Sequence, residues 1–452
     1  MNPKTTCRFA PSPSGFLHGG NVRIALLNYL YARKYGGKFI LRFDDTDSDR
    51  SKPEYEIAIK QDLTWLGFSF DAIYKQSERL AFYHKAVETL KKNGRVYACY
   101  ETPAELALMR KTQEANGKPP LYNRAALKLT REKIFAYEQA GQKPYYRFLL
   151  EDKDMTWQDM VKDRVHFVKN IISDPVVVRG DGIPLYSLSS VVDDGLLGIT
   201  LILRGDDHLT NSAAQIQLFT ALGYAVPAMA HVPRMVDGTG SKLSKRLGAK
   251  SIKDYRLDGI HPRALLAYFA HLGLALSPSG YETMDDLIKM MELDKFGKAE
   301  QKFFEKDLLV LNKKILTQLD FADAKLFYGK AMSDINEVQW QKIHSSIAGG
   351  EDMADWQKIL QDDFVPSASL TADEKKLLAM VLANMPNDFH HQAIENFLDN
   401  IKKASGHFGK AFFSPLRLSL TGRLDGPSIV DIFLLLGREK ILSRLSAITS
   451  VM

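Results

Sequence analysis

The first 43 residues place a strand, a glycine-rich turn, a helix and a second strand in close succession. Residues 5–10 predict a strand, and residues 21–35 predict a helix that is apolar on most faces and therefore buried. The pair Gly36-Gly37 ends this helix, and residues 38–43 predict the next strand. A further helix follows, with Pro53 in its first turn. This strand–helix alternation predicts an α/β fold built on a parallel sheet.

The alternation stops at about residue 100 and resumes at about residue 176. Residues 100–170 are helical in tendency and predict an insertion between two halves of the sheet. The stretch carries a basic run made of Arg110, Lys111, Lys118, Arg124, Lys128, Arg131 and Lys133. Residues 176–178 and 200–204 predict strands again, and the helix after them ends at Gly223. Beyond about residue 250 no strand is evident, so the sequence predicts helices and loops.

The segment at residues 11–21 joins the first strand to the first helix. Gly19 and Gly20 allow close approach to the backbone, and the helix N-terminus favours anions. His18 can donate to a phosphate oxygen. The chemistry indicates a phosphate site, although a tight turn with a structural histidine would give the same local pattern.

A second cationic segment, Lys242-Leu243-Ser244-Lys245-Arg246, follows Gly238-Thr239-Gly240. Two lysines three residues apart suit the charge that develops on a reacting phosphate and on leaving pyrophosphate. Taken alone, the segment is more typical of a solvated basic loop.

Acidic and basic groups also follow two of the predicted strands. Asp44, Asp45 and Asp47 lie at the carboxyl end of the second strand, where parallel sheets bind ligands. They could recognise an ammonium group or help to position magnesium, and capping and turn roles are expected for one or two of them. Arg204 ends a later strand and can bind a carboxylate, or form a structural ion pair with Asp193, Asp194 or Asp206.

Composition narrows the class of protein. The chain has 452 residues, a net charge of +6 and 45% hydrophobic residues, which indicates several ordinary domains and weakly favours a polyanionic partner. The two cysteines, Cys7 and Cys99, imply neither a disulfide framework nor a structural zinc site. No apolar stretch approaches a membrane span, and the chemistry begins by Arg8, so we expect a cytoplasmic protein.

Together these motifs resemble the glutamyl-tRNA synthetases, bacterial-type members of class I of the aminoacyl-tRNA synthetases. Residues 8–21 resemble the "HIGH" region, residues 242–246 the "KMSKS" loop, and residues 42–47 the "RIEDTD" segment. Residues 191–194 and 203–208 also match, as does the C-terminal segment at 414–423. With 191–194 and 203–208 counted as one cluster, these are five separated motifs in the family's order, which is highly specific, whereas any one alone would be weak.

The resemblance implies a Rossmann-type catalytic domain that is split by an acceptor-stem-binding insertion and followed by an all-α anticodon-binding region. We expect the first catalytic half at 1–100, the insertion at 101–175 and the second half at 176–245. A stem-contact helical region at 246–315 and the anticodon-binding domain at 316–452 complete the chain. Basic residues 110–133 suit phosphate contacts by the insertion, and the acid-free stretch 401–423 is expected near the anticodon contacts.

The resemblance also implies the activity and its residues. Glutamate attacks the α-phosphorus of ATP, bound with Mg²⁺, and gives glutamyl-adenylate and pyrophosphate. The 2′-hydroxyl of tRNA then attacks the adenylate, takes the glutamyl group and releases AMP. The expected catalytic residues are His18, Lys245 and Lys242. The expected ATP-binding residues are Pro11, Gly19, Gly20, Asn21, His208, Ser244 and Lys245, and the glutamate-binding residues are Arg8, Ser12, Asp44, Tyr186, Ser190 and Arg204. Arg204 is the natural partner of the substrate side-chain carboxylate.

Two departures from the family pattern matter. Some members carry zinc in the insertion, but the matching segment here, residues 97–101, has one cysteine, so no zinc is expected. Asp44 stands where the family usually has glutamate at the substrate amine, and it is one methylene shorter. Tyr122 or a water could compensate for the missing length.

The alternatives are related enzymes or an inactive binding protein. The glutamyl-queuosine relatives lack an anticodon domain, whereas this chain retains the 414–423 motif. Glutaminyl-tRNA synthetases have β-barrel anticodon domains, which the strand-poor tail disfavours. A tRNA-binding protein with a dead site would be expected to lack His18 or Lys245. A non-discriminating or glutamine-tRNA-specific glutamylating enzyme stays open, as does the oligomeric state, for which the family favours a monomer.

Replacing Lys245 with alanine is expected to lower the rate of adenylate formation about 10²–10³-fold, the usual cost of removing one contact that stabilises transition-state charge. Pyrophosphate exchange with bound tRNA measures this rate. A variant within threefold of wild type would contradict the catalytic role of Lys245.

Overall fold

A computed structural model of the chain describes residues 4–47, 49–241, 250–361 and 363–449. The lysine-rich loop with Lys242, Ser244 and Lys245 therefore lies outside the described residues. The chain forms two compact units. The first comprises residues 1–254 and 265–304, and the second comprises residues 255–264 and 305–452.

The strands of the described residues belong to the first unit. They are β1 (Thr6–Phe9), β2 (Lys38–Phe43), β3 (Ala72–Lys75), β4 (Val96–Cys99), β5 (Tyr145–Phe148), β6 (Met155–Asp159), β7 (Asp163–Phe167), β8 (Val176–Val178), β9 (Leu201–Gly205), β10 (Ala228–Val232), β11 (Met235–Val236) and β12 (Gln301–Lys302).

The helices up to residue 290 alternate with these strands or follow them. They are α1 (Gly19–Lys34), α2 (Pro53–Trp65), α3 (Leu80–Lys92), α4 (Pro103–Ala115), α5 (Arg131–Gln139), α6 (Tyr186–Leu196), α7 (Leu209–Ala221), α8 (Ile252–Leu257), α9 (Pro262–His271) and α10 (Met284–Met290).

A parallel sheet organises the first unit. β1 pairs in parallel with β2, and β2 pairs in parallel with β3. β9 pairs in parallel with β10, and Thr200 N donates to Thr6 O over 3.0 Å, so β9 begins beside β1. The two sheets, β3-β2-β1 and β9-β10-β6-β7, therefore lie edge to edge, with β2 and β3 on one side of β1 and β9 and β10 on the other. The prediction of a Rossmann-type parallel sheet is confirmed.

The region expected to be a helical insertion also contains strands. Alongside α4 and α5, β5 pairs antiparallel with β4 and β8. The β6–β7 hairpin joins the main sheet, because β6 pairs in parallel with β10 at Asp159 and Met229. The strands β5, β6 and β7 have only four or five residues each, and β7, with the sequence DRVHF, mixes charged and apolar side chains, so no clear strand period is visible in the sequence. β12 likewise contradicts the expectation of no strand beyond residue 250, but it has only two residues.

Helices build the second unit from residue 305 onward. They are α11 (Glu305–Leu316), α12 (Phe321–Tyr328), α13 (Glu337–Ile343), α14 (Gly350–Ile359), α15 (Ala372–Ala383), α16 (His391–Ser405), α17 (Lys410–Thr421) and α18 (Ile429–Thr449). Trp340, Trp356, Phe412 and Phe433 are fully buried at its core. Within residues 305–361 and 363–449 there is no strand, as expected for an all-α anticodon-binding region. In the part of the chain that the structure describes, none of the helices has the length and apolarity to cross a bilayer.

The turn between α1 and β2 offers a matched pair of glycines. A Cβ on Gly37 would lie 2.0 Å from the carbonyl oxygen of Thr5, which accepts the β2 amide of Lys38. A Cβ on Gly36 would meet nothing within 4 Å, although its φ is +60°.

Gly37→Ala is therefore expected to destabilise the protein by about 3 kcal/mol, because the added methyl forces β1 and β2 apart. Gly36→Ala is expected to cost about 1–2 kcal/mol from backbone strain alone. Calorimetric Tm values compare the two. A loss of Tm in Gly36→Ala that equals or exceeds the loss in Gly37→Ala would contradict this account.

Candidate active site

A cleft of about 760 Å³ opens in the first unit at the carboxyl ends of β1, β2 and β9. This is the edge at which parallel α/β sheets bind ligands. Most of the residues expected from the sequence line it, namely Arg8, Pro11, Ser12, His18, Gly20, Asn21, Asp44, Tyr186, Arg204 and His208. Gly19 and Ser190 lie outside the lining.

The N-terminus of α1 faces this cleft. His18 is the N-cap residue, and its backbone N–H donates to the side-chain oxygen of Asn21 over 3.4 Å. A Cβ on Gly19 would come within 2.9 Å of the Phe269 ring, and a Cβ on Gly20 would come within 3.1 Å of the His18 ring. The two glycines therefore allow side chains to pack closely around the start of the helix. This packing role differs from the close approach of a ligand to the backbone that the sequence suggested. The helix still presents its N-terminal dipole to the cleft.

A buried ion-pair network supports the floor of the cleft. Arg42, which is 1% exposed, donates from Nε to Asp44 Oδ1 over 2.7 Å and from Nη1 to Asp194 Oδ1 over 2.6 Å. Arg8 also donates from Nε to Asp194, over 3.1 Å. Although burial alone would raise the pKa of Asp194, Arg8 and Arg42 hold it below its usual value. Asp194 is therefore an ionised structural partner of two cleft arginines.

Asp193, the neighbour of Asp194 on α6, ties the network to other elements. Its carboxylate accepts from Arg79 Nε over 2.6 Å, from Tyr83 Oη over 2.8 Å and from Gln76 Nε2 over 3.3 Å. Ser190, one turn before Asp194, accepts a long hydrogen bond from Arg42 Nη2 over 3.4 Å. The expected glutamate-binding serine thus contacts the network beneath the cleft.

Asp44 lines the cleft and is 8% exposed. Burial raises its pKa to about 6, and the contact with Arg42 opposes that shift.

The suggestion that Tyr122 compensates for the short Asp44 side chain is wrong. The Tyr122 hydroxyl donates to Glu101 over 2.6 Å, and Tyr122 does not line the cleft. Asp45 has the expected capping role, since it accepts from the backbone and hydroxyl of Ser77.

Arg204 is the other expected partner of a charged ligand, and it is 6% exposed. Its Nη1 donates to Tyr186 Oη over 2.9 Å, and its Nη2 donates to Ser212 Oγ and Gln215 Oε1, each over 2.7 Å. Its Nε makes a longer contact, 3.4 Å, with His231 Nε2. None of the described carboxylates lies within ion-pair distance of Arg204. The alternative, a structural ion pair of Arg204 with Asp193, Asp194 or Asp206, is therefore wrong.

The cleft is strongly basic. Its described lining contains Arg8, Arg23, Arg42, Arg204 and Arg234 but only two carboxylates, Asp44 and Asp207. Such an excess favours a polyanionic ligand.

Arg23, on α1, is a cleft residue that the sequence interpretation missed. It donates to the backbone carbonyls of Pro233 and Leu272 over 2.7 and 2.9 Å, and burial lowers its pKa to about 10. The sequence did contain a signal for Arg23, namely its position within an otherwise apolar helix. An arginine on a buried helix needs partners that the fold must bring to it.

Some basic residues outside the cleft are paired with carboxylates, and others are exposed or line a second cavity. In the insertion, Arg124 forms a two-bond ion pair with Asp174, whereas the other six residues of the basic run are exposed. In the second unit, Arg423 contacts Asp352, Asp355 and Asp425. Lys402 and Arg417 line a separate cavity of about 310 Å³ that also contains Phe413, Glu395 and Asp399. Arg124 and Arg423 are therefore structural ion-pair residues.

Comparison with known proteins decides the family. Residues 4–310 match the family model for "tRNA synthetases class I (E and Q), catalytic domain", and residues 351–449 match an "Anticodon binding domain". The chain belongs to the class I aminoacyl-tRNA synthetases. The resemblance of the five motifs is thereby confirmed, and the chain is an enzyme of this family.

Individual relatives agree along the whole chain. "Glutamate–tRNA ligase 2" of Sphingopyxis alaskensis is 42% identical over 443 residues, 98% of each chain. "Glutamate–tRNA ligase 2" of Gluconobacter oxydans is 40% identical and covers 97% of this chain and 98% of its own. A crystal structure of a glutamate tRNA ligase from Elizabethkingia meningosepticum "in complex with its amino acid" is 27% identical, with a TM-score of 0.85 over 99% of this synthetase and 100% of that chain.

Proposed function

We propose that this synthetase attaches L-glutamate to tRNA in an ATP-dependent reaction with a glutamyl-adenylate intermediate. The observation that carries the proposal is the buried charge of Arg204, whose hydrogen-bond partners are neutral. It is a buried guanidinium at a cleft, surrounded by neutral acceptors, and no described carboxylate balances it. Such a charge favours a ligand that brings its own carboxylate.

The glutamate side chain would bind at Arg204 and Tyr186. Four contacts use four of the five N–H groups of the guanidinium, so one Nη1–H is left for a ligand. The Tyr186 hydroxyl accepts from Nη1, which leaves its own proton available as a second donor. One carboxylate could therefore receive two hydrogen bonds, one from each residue.

The ammonium group of the substrate would bind where Asp44 lines the cleft. We propose that ionised Asp44 accepts the substrate ammonium group, with Arg42 holding the carboxylate in place. Arg8 and Ser12 line the same cleft and are assigned to the substrate, whereas Ser190 would act from beneath through Arg42.

ATP would occupy the side of the cleft formed by the α1 N-terminus. Pro11, Gly20, Asn21 and His208 line the cleft, Gly19 shapes the helix start, and His18, which also lines the cleft, would contact phosphate. Ser244, Lys242 and Lys245 are assigned to the phosphates from sequence. Mg²⁺ would enter on the ATP phosphates, its usual ligands, since no three ligating side chains converge in the described residues. Catalysis would consist of positioning and charge stabilisation, without a protein nucleophile.

The tRNA would contact both units. We propose that the exposed basic residues of the insertion contact acceptor-stem phosphates. In the second unit, the cavity with Lys402, Phe413 and Arg417 combines an aromatic ring, cations and carboxylates. This combination suits an unstacked anticodon base, which is recognised by stacking and edge hydrogen bonds.

We further propose a monomer that works in the cytoplasm. The resemblance to the glutamyl-tRNA synthetases favours a monomer. Both cysteines are free and buried, which suits a reducing compartment.

Charging of purified glutamate and glutamine tRNAs, side by side, tests the function. We expect glutamate to be attached to the glutamate tRNA, with the wild-type enzyme and the Arg204→Ala variant compared in the same assay. Arg204→Ala should raise the glutamate KM at least tenfold with little change in the ATP KM, because a charged hydrogen bond is lost on one substrate only. Charging of the glutamine tRNA alone would contradict the proposed acceptor, and an equal rise in both KM values would contradict the role of Arg204.

The glutamate KM should also depend on pH through Asp44. Its folded-state pKa of about 6 means that the carboxylate protonates as pH falls through 6, and an ammonium group loses its partner. We expect the glutamate KM to rise about tenfold between pH 7 and pH 5. Asp44→Asn is the matched control, in which KM should be high at every pH and the dependence should vanish. A wild-type slope that persists in Asp44→Asn would assign the titration to another group.

A further inference from the structure

A buried chain of hydrogen bonds lies behind Arg204 on the side away from the cleft. His231, on β10, contacts Asp159 at the end of β6, with 2.5 Å between Nδ1 and Oδ2. The other ring nitrogen, Nε2, lies 2.7 Å from Ser212 Oγ on α7, and Ser212 Oγ in turn accepts from Arg204 Nη2 over 2.7 Å. Asp159, Ser212 and His231 are fully buried. None of the three lines the cleft.

The surroundings of Asp159 fix the tautomer of His231. Oδ1 of Asp159 accepts three backbone N–H groups, from Val161 and Lys162 over 3.0 Å and from His231 over 3.1 Å. Although burial would raise it, the hydrogen bonds from His231 and the Lys162 amide lower the pKa of Asp159 below its usual value. An ionised Asp159 only accepts hydrogen bonds, so the proton of a neutral His231 must be on Nδ1.

A neutral His231 then presents an acceptor to the Arg204 side. Burial lowers the pKa of His231, the contact with Asp159 opposes that shift, and the Arg204 charge adds to it. The Ser212 hydroxyl can donate to Nε2 while its oxygen accepts from Arg204, and Arg204 Nε also points at Nε2 over 3.4 Å. Arg204 is thus oriented by neutral groups that do not cancel its charge.

We propose that His231, held in its Nδ1–H tautomer by Asp159, is a positioning residue that aims the Arg204 guanidinium at the side-chain carboxylate of the amino-acid substrate. The inference rests on the proposed role of Arg204. With the opposite tautomer, an Nε2–H would face Arg204 Nε–H, and the Ser212 hydroxyl would donate to the His208 carbonyl, 3.3 Å away, instead of to the ring. Selectivity for glutamate over glutamine would fall, because it depends on where this charge lies.

Asp159→Asn is the sharpest test. The three backbone donors around Oδ1 require the amide oxygen of asparagine there, so its NH₂ would face His231 Nδ1 and force the proton to Nε2. An analogous inversion follows Asp→Asn replacement behind the histidine of serine proteases. We expect a glutamate KM about tenfold to hundredfold higher, an ATP KM within threefold of wild type, and reduced discrimination against glutamine.

Nitrogen-15 NMR of labelled histidine reports the tautomer directly. Wild type should show a protonated Nδ1 on His231, and Asp159→Asn should show a protonated Nε2. A glutamine at position 231 has no tautomer to invert, so Asp159→Asn combined with His231→Gln should recover part of the glutamate KM that Asp159→Asn loses, whereas combination with His231→Leu should not. His261→Gln, which replaces a buried histidine of the second unit, is the control for general destabilisation.

An unchanged glutamate KM in Asp159→Asn with an inverted tautomer would overturn the inference, as would equal rises in both KM values or an Nε2–H tautomer in wild type. Arg204→Ala separates this failure from that of the proposed function. If Arg204→Ala raises the glutamate KM but Asp159→Asn does not, only the role of His231 fails. If Arg204→Ala has no effect, the assignment of Arg204 to the substrate fails and the inference with it.

Discussion

The ion pairs of Arg42 are the interaction on which the catalytic cleft depends. This guanidinium joins β2 to α6 through Asp194, and it holds Asp44 at the cleft surface. A charge buried this deeply is tolerated only with its partners in place, and removal of one partner from such a pair usually costs about 3–5 kcal/mol. Asp193 extends the same network to Arg79 on the segment after β3. The strands that form the cleft therefore cannot shift relative to α6 without leaving a buried charge unpaired.

The cleft arginines divide into two kinds according to their partners. Arg8 and Arg42 share Asp194, so their charges are largely balanced and they stabilise the walls of the cleft. Arg204 has only neutral acceptors among the described residues, and burial lowers its pKa. Hydrogen bonds to four neutral groups stabilise this charge, and under the proposed function the substrate carboxylate would stabilise it further. The difference between these arginines lies in their partners, since the residue type is identical.

The sequence predicted the family, the parallel sheet and most of the cleft lining, because each depends on local patterns. A strand, a glycine-rich turn and a helix are adjacent in sequence, and the residues after each parallel strand meet at one edge. The contacts between residues that are distant in sequence were not predicted. Nothing near Arg42 indicates that it pairs with Asp194, 152 residues away. Of the two suggested ways to compensate for the short Asp44, a water or Tyr122, the second fails because the Tyr122 hydroxyl donates to Glu101. The strands of the insertion are too short to give a clear period.

The β6–β7 hairpin belongs to the insertion that is expected to bind tRNA, but it also contacts residues around Arg204. Asp159 at its turn reaches His231 in the main sheet, and Lys162 in the same turn pairs with Asp206, two residues after Arg204. Lys298, in the segment that leads to β12, pairs with Asp163 at the start of β7. Both ends of the strand that carries Arg204 are thus constrained, one by β1 through Thr200 and the other by this turn. The hairpin therefore helps to fix the position of the Arg204 guanidinium, through the buried hydrogen bond of Asp159 with His231 and the ion pair of Lys162 with Asp206.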